Sequence, residues 1–293
     1  MTNSDTHVTW REMVNRTQAE VGERTIAQWL CEHASGCDAG EFSEILDELV
    51  SERSAQHLRS MLTRYATGEP LQYVMGSWAF RRLDLLIDSR VLIPRPETEL
   101  LVEHVTRYAL QKIRDVGRSV TIADLGTGSG AVGLSLLDEL PFESAEVWMT
   151  DISEDALHVA RANAAGIGRN AVGARFGHGS WYGALPGDLH GSLDAIVSNP
   201  PYIAVGDPLV GESVLKWEPH NALFAGADGL NDLRVVASGA TDWLVPGGLL
   251  AVEMGFTQAT VVSQLFESAG FKNVSVHKDL LGLHRFVTGT APR

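Results

Sequence analysis

The chain has 293 residues, 44% of them hydrophobic, with 37 acidic against 23 basic side chains and a formal charge of −14. That length fits two domains of about 100–200 residues each, and the hydrophobic share excludes global disorder. With four lysines in all, the chain shows no basic stripe to neutralise phosphates, so no direct nucleic-acid binding is expected and the partner is a protein or a small molecule.

No apolar run reaches the roughly 20 residues that span a bilayer. Met1 to Trp10 is polar and lacks a basic flank before an apolar stretch, so a cytoplasmic protein without a membrane partner is expected. Cys31 and Cys37 fit no zinc or redox spacing, and the histidines show no ligand spacing, so no metal is inferred.

Residues 11–66 read as helical. Ile26, Trp29 and Leu30, then Ile45, Leu46, Leu49 and Val50, then Leu58, Met61, Leu62 and Tyr65 recur at helical spacing. Ser35-Gly36-Cys37-Asp38 breaks the pattern, and Gly68-Glu69-Pro70 ends it. Residues 1–76 are thus expected to form a small helical domain. Residues 77–94 change period: Phe80, Leu83, Leu85, Ile87, Val91 and Ile93 suggest a linking β-hairpin turning at Asp88-Ser89-Arg90.

Residues 95–293 form the second expected domain. A helix over 100–110 starts at Glu97 or Thr98, and from residue 119 strands and helices alternate. Strands are expected over 120–125, 146–152, 171–177, 194–198, 248–254, 273–277 and 284–288. Helices are expected over 131–140, 154–165 with Ser153 as N-cap, 232–244 and 258–269. Such alternation means an α/β fold with a mainly parallel sheet covered on both faces.

Two segments carry chemistry. Asp124-Leu125-Gly126-Thr127-Gly128-Ser129-Gly130 follows the first strand of this series and opens a helix. Glycines serve there because the backbone turns tightly and comes close to a ligand. Gly126-x-Gly128-x-x-Ala131 also satisfies the loose dinucleotide fingerprint. Asp151, ending the next strand, suits the ribose hydroxyls of an adenosine in either cofactor class, so it does not separate the two.

Asn199-Pro200-Pro201-Tyr202 closes a strand with two prolines, a stiff segment whose carbonyls are fixed in space. An amide nitrogen is a poor nucleophile with two N–H donors that need acceptors once buried. The Asn199 side-chain oxygen and the Pro200 carbonyl can take one each, and the Tyr202 ring can lie on the flat substrate group. Catalysis is then mostly positioning, worth up to about 7–11 kcal/mol in well-oriented systems, and no general base is needed before transfer.

With both segments in hand, the chain resembles the release-factor glutamine methyltransferase family (HemK/PrmC). The resemblance spans roughly residues 68–290. It rests on Gly68-Glu69-Pro70-Leu71-Gln72-Tyr73 with Gly76 and Phe80, on Leu92-Ile93-Pro94-Arg95-Pro96-Glu97-Thr98-Glu99, on residues 124–130, on Asp151, on Asn199 to Tyr202, and on Glu218-Pro219 with Ala222-Leu223.

The resemblance implies a seven-stranded, Rossmann-like methyltransferase sheet whose last strand runs antiparallel, with an N-terminal helical domain that helps to grip the substrate. It implies methyl transfer from S-adenosylmethionine, leaving S-adenosylhomocysteine, to the side-chain amide nitrogen (N5) of the glutamine in the Gly-Gly-Gln motif of class-1 peptide chain release factors, a modification that tunes translation termination. Carried over by position, Gly126, Thr127, Gly128, Ser129, Gly130, Asp151, Trp181 and Asn199 hold the cofactor. Asn199, Pro200, Pro201 and Tyr202 cradle the glutamine, with Asn199, Pro200 and Tyr202 at the reacting centre. A ribosomal-protein glutamine or a nucleic-acid base amino group is the alternative acceptor, since flipped bases present the same flat nitrogen.

Three positions keep two readings. Trp181 flanks the adenine or is a core aromatic. Arg95 orients the cofactor's carboxylate or pairs with Glu97 or Glu99. Glu218-Pro219-His220 has a functional role or only shapes a loop lid, and the mechanism needs no base from His220. The chain also departs from the family at Ser180, where many relatives carry an acid suited to the adenine amino group. A hydroxyl is the weaker acceptor. Ser180→Asp is therefore expected to tighten S-adenosylhomocysteine binding in a calorimetric titration, and an unchanged dissociation constant would refute that reading.

Overall fold

A computed structural model describes residues 8–293, so most of the polar segment Met1 to Trp10 lies outside the described residues. The chain divides into two compact units, Met1–Gly76 and Ser77–Arg293.

The first unit is helical. Helix α1 (Trp10–Val21) opens with a reciprocal capping box between Thr9 and Glu12, and stops at Gly22 in the left-handed region (φ 83°). Helix α2 (Arg24–Ser35) ends the same way at Gly36. Asp38 and Glu41 form a second capping box for α3 (Ala39–Glu44), and Ser51 caps α4 (Glu52–Tyr65). Trp10, Met13, Leu30, Phe42, Leu58 and Met61 form the core, with Trp10 and Phe42 edge to face at 5.5 Å.

Two expectations are corrected here. Residues 45–50 are not helical: Thr9 and Leu49 form an isolated antiparallel bridge, Val50 N–H donates to the Val8 carbonyl, and only Val50 of the Leu49-Val50 pair is buried. Pro70 starts a helix rather than ending the helical region. It caps α5 (Leu71–Met75), where a missing N–H costs nothing. The Arg64 guanidinium donates to the Tyr73 and Val74 carbonyls at the end of that helix.

The second unit opens with an antiparallel hairpin, β1 (Ser77–Phe80) and β2 (Leu83–Leu86), in register Phe80↔Leu83. Its turn is Arg81-Arg82, not Asp88-Ser89-Arg90. Arg81 adopts φ 53°, and distant acids hold it there. Glu99 accepts its N–H at 3.1 Å, and Glu139 accepts its guanidinium through two bonds of 2.7 Å. Residues 87–97 then run as irregular chain, with Val91 and Ile93 buried.

Helix α6 (Thr98–Val116) leads into alternating elements: β3 (Val120–Leu125), α7 (Ala131–Glu139), β4 (Ala145–Asp151), α8 (Glu154–Ile167), β5 (Ala174–His178) and β6 (Leu193–Ser198). There follow α9 (Glu212–Trp217), α10 (Asn231–Gly239), β7 (Leu244–Glu253), α11 (Ala259–Ser268), β8 (Lys272–Lys278) and β9 (His284–Thr290). Ser153 caps α8 as expected, its hydroxyl accepting from Ala156 N–H. Helix α10 stops short of the expected residue 244, because Leu244 pairs with Leu193 and belongs to the sheet.

The sheet order is β5-β4-β3-β6-β7-β9-β8. Strands β3 to β7 are parallel, and β9 runs antiparallel to both β7 and β8. This is the seven-stranded, Rossmann-like sheet that the resemblance implies. From β3 the chain winds outward through β4 and β5, then returns to the other side of β3 with β6. The switch point lies between β3 and β6, where open α/β sheets bind ligands beyond the carboxyl ends of the strands.

Asn163 on α8 locks the hairpin to this point. Its side-chain oxygen accepts Leu86 N–H at 2.7 Å, and its amide donates to the Leu86 carbonyl at 3.0 Å and the Ser129 carbonyl at 2.8 Å. Asn163 is 6% exposed, so removing it strands partners that water reaches poorly. Asn163→Ala is expected to lower stability by about 2–3 kcal/mol in urea denaturation. A loss below about 0.5 kcal/mol would show that water replaces the lock.

Candidate active site

Strand register brings the two chemical segments together. Leu125 pairs with Ser198 at the ends of β3 and β6, and the Ser198 hydroxyl donates to the Leu125 carbonyl at 2.7 Å. The glycine loop continues from one strand and Asn199 from the other.

The loop is shaped from within. Gly126, Gly128 and Gly130 all take positive φ (74°, 56° and 85°), a region open to glycine without steric cost. Gly126 and Thr127 N–H donate to the Thr150 carbonyl, Gly130 N–H to the Thr127 carbonyl, and Gly128 N–H to the Asp151 carboxylate at 3.0 Å. Asp124, fully buried, accepts from the Thr127 hydroxyl at 2.6 Å and from Gly133 N–H at 2.9 Å; burial pushes its carboxyl up to about 6. The loop's amides are thus largely spent on the protein. A dinucleotide loop needs them free for a pyrophosphate, so this geometry argues against the nicotinamide reading that the glycine spacing left open.

A cavity of about 360 Å³ lies beyond the loop, lined by Gly126 to Ser129, Asp151, Ser180, Trp181 and Asn199 among others. A Cβ on Gly128 would project into open space. Asp151 accepts Gly128 N–H on one oxygen and Ser153 N–H at 2.9 Å on the other, with Ile152 N–H also facing it, and retains acceptor capacity toward the cavity; burial raises its pKa. Trp181 opens a 3-10 turn (Trp181–Ala184) at φ 47°. Its ring comes within 3.5 Å of where a Gly126 Cβ would stand, so it is both core-packed and cavity-lining. Asp232 lines the same cavity and faces the Trp181 side chain. A cavity of this size, with a free-faced glycine loop, an acid with spare acceptors and an indole plane, fits an adenosine-bearing cofactor.

A second cavity, of about 430 Å³, lies against Asn199, Pro200, Tyr202, Arg95, Phe256 and Arg285. Asn199 lines both cavities. Its amide nitrogen donates to the Thr98 hydroxyl at 3.3 Å, while its oxygen has no partner among the described residues. The Tyr202 carbonyl accepts from Gln258 at 3.0 Å and the Tyr202 hydroxyl donates to Glu253 at 3.2 Å. Pro201 lines the first cavity.

Arg95 pairs with neither Glu97 nor Glu99. Its guanidinium donates to Glu218 at 2.6 Å, and the other Glu218 oxygen accepts Ile93 N–H at 3.2 Å. This joins Leu92 and Pro94, on one wall of the first cavity, to Pro219 and Ala222 on another. Sequence reasoning missed Thr98, Asp232, Glu253 and Gln258 as site residues. Glu253 did leave a signal, as the lone charge in the apolar run Leu249-Leu250-Ala251-Val252-Glu253-Met254.

Family models match two stretches of the chain: "PrmC N-terminal domain" over residues 11–76 and "Methyltransferase small domain" over residues 96–216. A release factor glutamine methyltransferase of Xylella fastidiosa (strain Temecula1 / ATCC 700964) is 40% identical over 92% of this chain and 94% of that protein. One from Burkholderia pseudomallei (strain K96243) is 39% identical over 91% of each. The chain belongs to the release factor glutamine methyltransferase family. Like its relatives, it is an S-adenosylmethionine-dependent methyltransferase. A solved structure described as protein-(glutamine-N5) methyltransferase (release factor-specific) from Alicyclobacillus acidocaldarius is 28% identical over 69% of this chain and 95% of that one, at a TM-score of 0.40. Among the described residues no helix is long and apolar enough to cross a membrane.

The Arg95–Glu218 bridge generates a prediction. Glu218 is 4% exposed, so Arg95→Met leaves a buried carboxylate with one N–H. Loss of one partner of a buried pair costs about 3–5 kcal/mol, and the lower end applies because Arg95 keeps some water. Urea denaturation should show that loss, and S-adenosylhomocysteine should bind several-fold more weakly in calorimetry. Unchanged values for both would mean that the bridge does not hold the cavity walls.

Proposed function

We propose that the chain methylates the side-chain amide nitrogen (N5) of the glutamine in the Gly-Gly-Gln motif of class-1 peptide chain release factors. The relatives' names support the substrate, and a reaction on a translation factor supports a cytoplasmic location. The observation that carries the reading is the position of Asn199, on the boundary between two cavities, with its nitrogen engaged and its oxygen unpaired.

When bound, S-adenosylmethionine would supply a methyl group on an electron-poor sulfonium: the nitrogen lone pair takes the methyl, the broken bond's electrons return to sulfur, and the nitrogen's proton leaves afterwards to water, so no base is needed beforehand. The chain's own work is to hold that nitrogen. Gly126 to Gly130, Asp151 and Trp181 form the cofactor side, with Asp151 offering its unspent lone pairs to the ribose hydroxyls. On the substrate side the Asn199 side-chain oxygen and the Pro200 carbonyl accept the two amide N–H groups, so the nitrogen faces the first cavity. Pro200 and Pro201 keep these acceptors from relaxing toward water. Tyr202, its carbonyl pinned by Gln258, presents a ring to the flat amide. Residues 1–76 serve as the recognition domain, 77–94 as the link and 95–293 as the methyltransferase domain.

The test uses purified protein, labelled S-adenosylmethionine and an unmodified class-1 release factor, beside the same factor with the motif glutamine changed to alanine. Label on the first alone is expected. Asn199→Ala should lower kcat by about 10²–10³-fold, comparable to deleting one oxyanion-hole donor at about 3–4 kcal/mol, while S-adenosylhomocysteine affinity falls less. Label on neither factor, or wild-type turnover by Asn199→Ala, would overturn the reading.

A further inference from the structure

Beneath Asn199 lies a polar chain that its role in substrate binding does not by itself require. Glu253 ends β7 and is 1% exposed; Thr98 opens α6 and is 3% exposed. The Thr98 hydroxyl donates to one Glu253 oxygen at 2.6 Å, and the Tyr202 hydroxyl donates to the other at 3.2 Å. Asn199 then donates to the same Thr98 oxygen at 3.3 Å. An ionised carboxylate only accepts, and a hydroxyl has one proton. With that proton committed to Glu253, the Thr98 oxygen can only accept toward Asn199, so the amide group facing it is the NH₂. The Asn199 oxygen is left for the cavities.

We propose that Glu253, acting through Thr98, is a positioning residue that sets which end of the Asn199 amide meets the substrate nitrogen. The two ends of an asparagine amide are nearly equal in shape, so packing alone selects weakly between them. Hydrogen-bond polarity supplies the selection. With the polarity reversed, Asn199 presents N–H donors to substrate N–H donors, a repulsive pairing. Tyr202 rests on the same carboxylate, so both side chains that meet the substrate are referenced to one buried group.

The inference rests on Asn199 accepting the substrate amide. It also makes the reaction depend on the charge of Glu253. Burial pushes this carboxyl up to about 7. Among the groups facing it, Glu97 also raises it, while the Thr98 and Tyr202 hydroxyls and Arg285 favour ionisation. Once protonated, Glu253 can donate to Thr98, which then donates to Asn199 and turns the amide over. Turnover should therefore fall as pH drops through about 7.

The test compares kcat, KM and pH profiles of wild type, Glu253→Gln, Thr98→Val and Thr98→Ser on the release-factor substrate. Glutamine matches glutamate in shape but carries an NH₂ that can donate to Thr98 and reverse the polarity, while Thr98→Val breaks the relay whichever way that amide lies. Glu253→Gln is expected to lose at least tenfold in kcat, to keep S-adenosylhomocysteine affinity within about twofold, and to lose the acid limb near pH 7. Thr98→Val should lose kcat similarly, and Thr98→Ser, which restores the hydroxyl, should recover most of it. Should Glu253→Gln not fold, the Val and Ser variants decide alone through the same readouts. Wild-type kcat in Thr98→Val, or in a folded Glu253→Gln that keeps the acid limb, overturns the proposal. If Asn199→Ala is inactive while those variants are not, only this inference fails; an active Asn199→Ala removes the functional reading itself.

Discussion

Parallel pairing of β3 with β6 is the constraint on which the site depends. It sets Leu125 beside Ser198, and the buried Ser198 hydroxyl ties the two strand ends together. One strand then turns into glycines, the other into prolines. The first chain segment bends because three glycines accept positive φ, and the second stays put because each proline fixes its own φ and restricts the residue before it. A tightly turned glycine loop and a rigid proline corner placed edge to edge make two cavities that share Asn199.

The site is expensive to build in buried charge. Asp124 and Glu253 are 1% exposed, and burial raises both carboxyls well above the ordinary range. Their acceptor capacity goes into shape: Asp124 folds the glycine loop and the first turn of α7, and Glu253 gathers Thr98 and Tyr202. The same logic explains why the loop's amides are not left free. Spent on Thr150, Thr127 and Asp151, they make a rigid loop rather than an anion nest.

Long-range side-chain contacts complete the walls. Glu218 reaches back across more than a hundred residues to Arg95 and Ile93, and Asn163 links the hairpin to the loop at Ser129. Each is a buried polar group fully committed to its partners, so each is worth more for holding a geometry than for adding stability. The motif Ile93-Pro94-Arg95-Pro96-Glu97-Thr98-Glu99 thereby touches Glu218 through Arg95, Asn199 through Thr98 and the hairpin turn through Glu99.

By itself the sequence determined whatever is local. Alternating periods gave the α/β class, glycine spacing the loop, Ser153 the cap of α8, and the double proline the stiff corner, because dihedral restriction and periodicity act between near neighbours. Tertiary structure decided where partners came from afar. The hairpin turns at Arg81 because Glu99 and Glu139 hold it there, α10 yields Leu244 to the sheet because Leu193 pairs with it, and Arg95 prefers Glu218 to its neighbouring acids. Glu253 and Thr98 are 155 positions apart in the chain. Sequence spacing cannot report such a bond, since its energy exists only once the fold has excluded water from both ends.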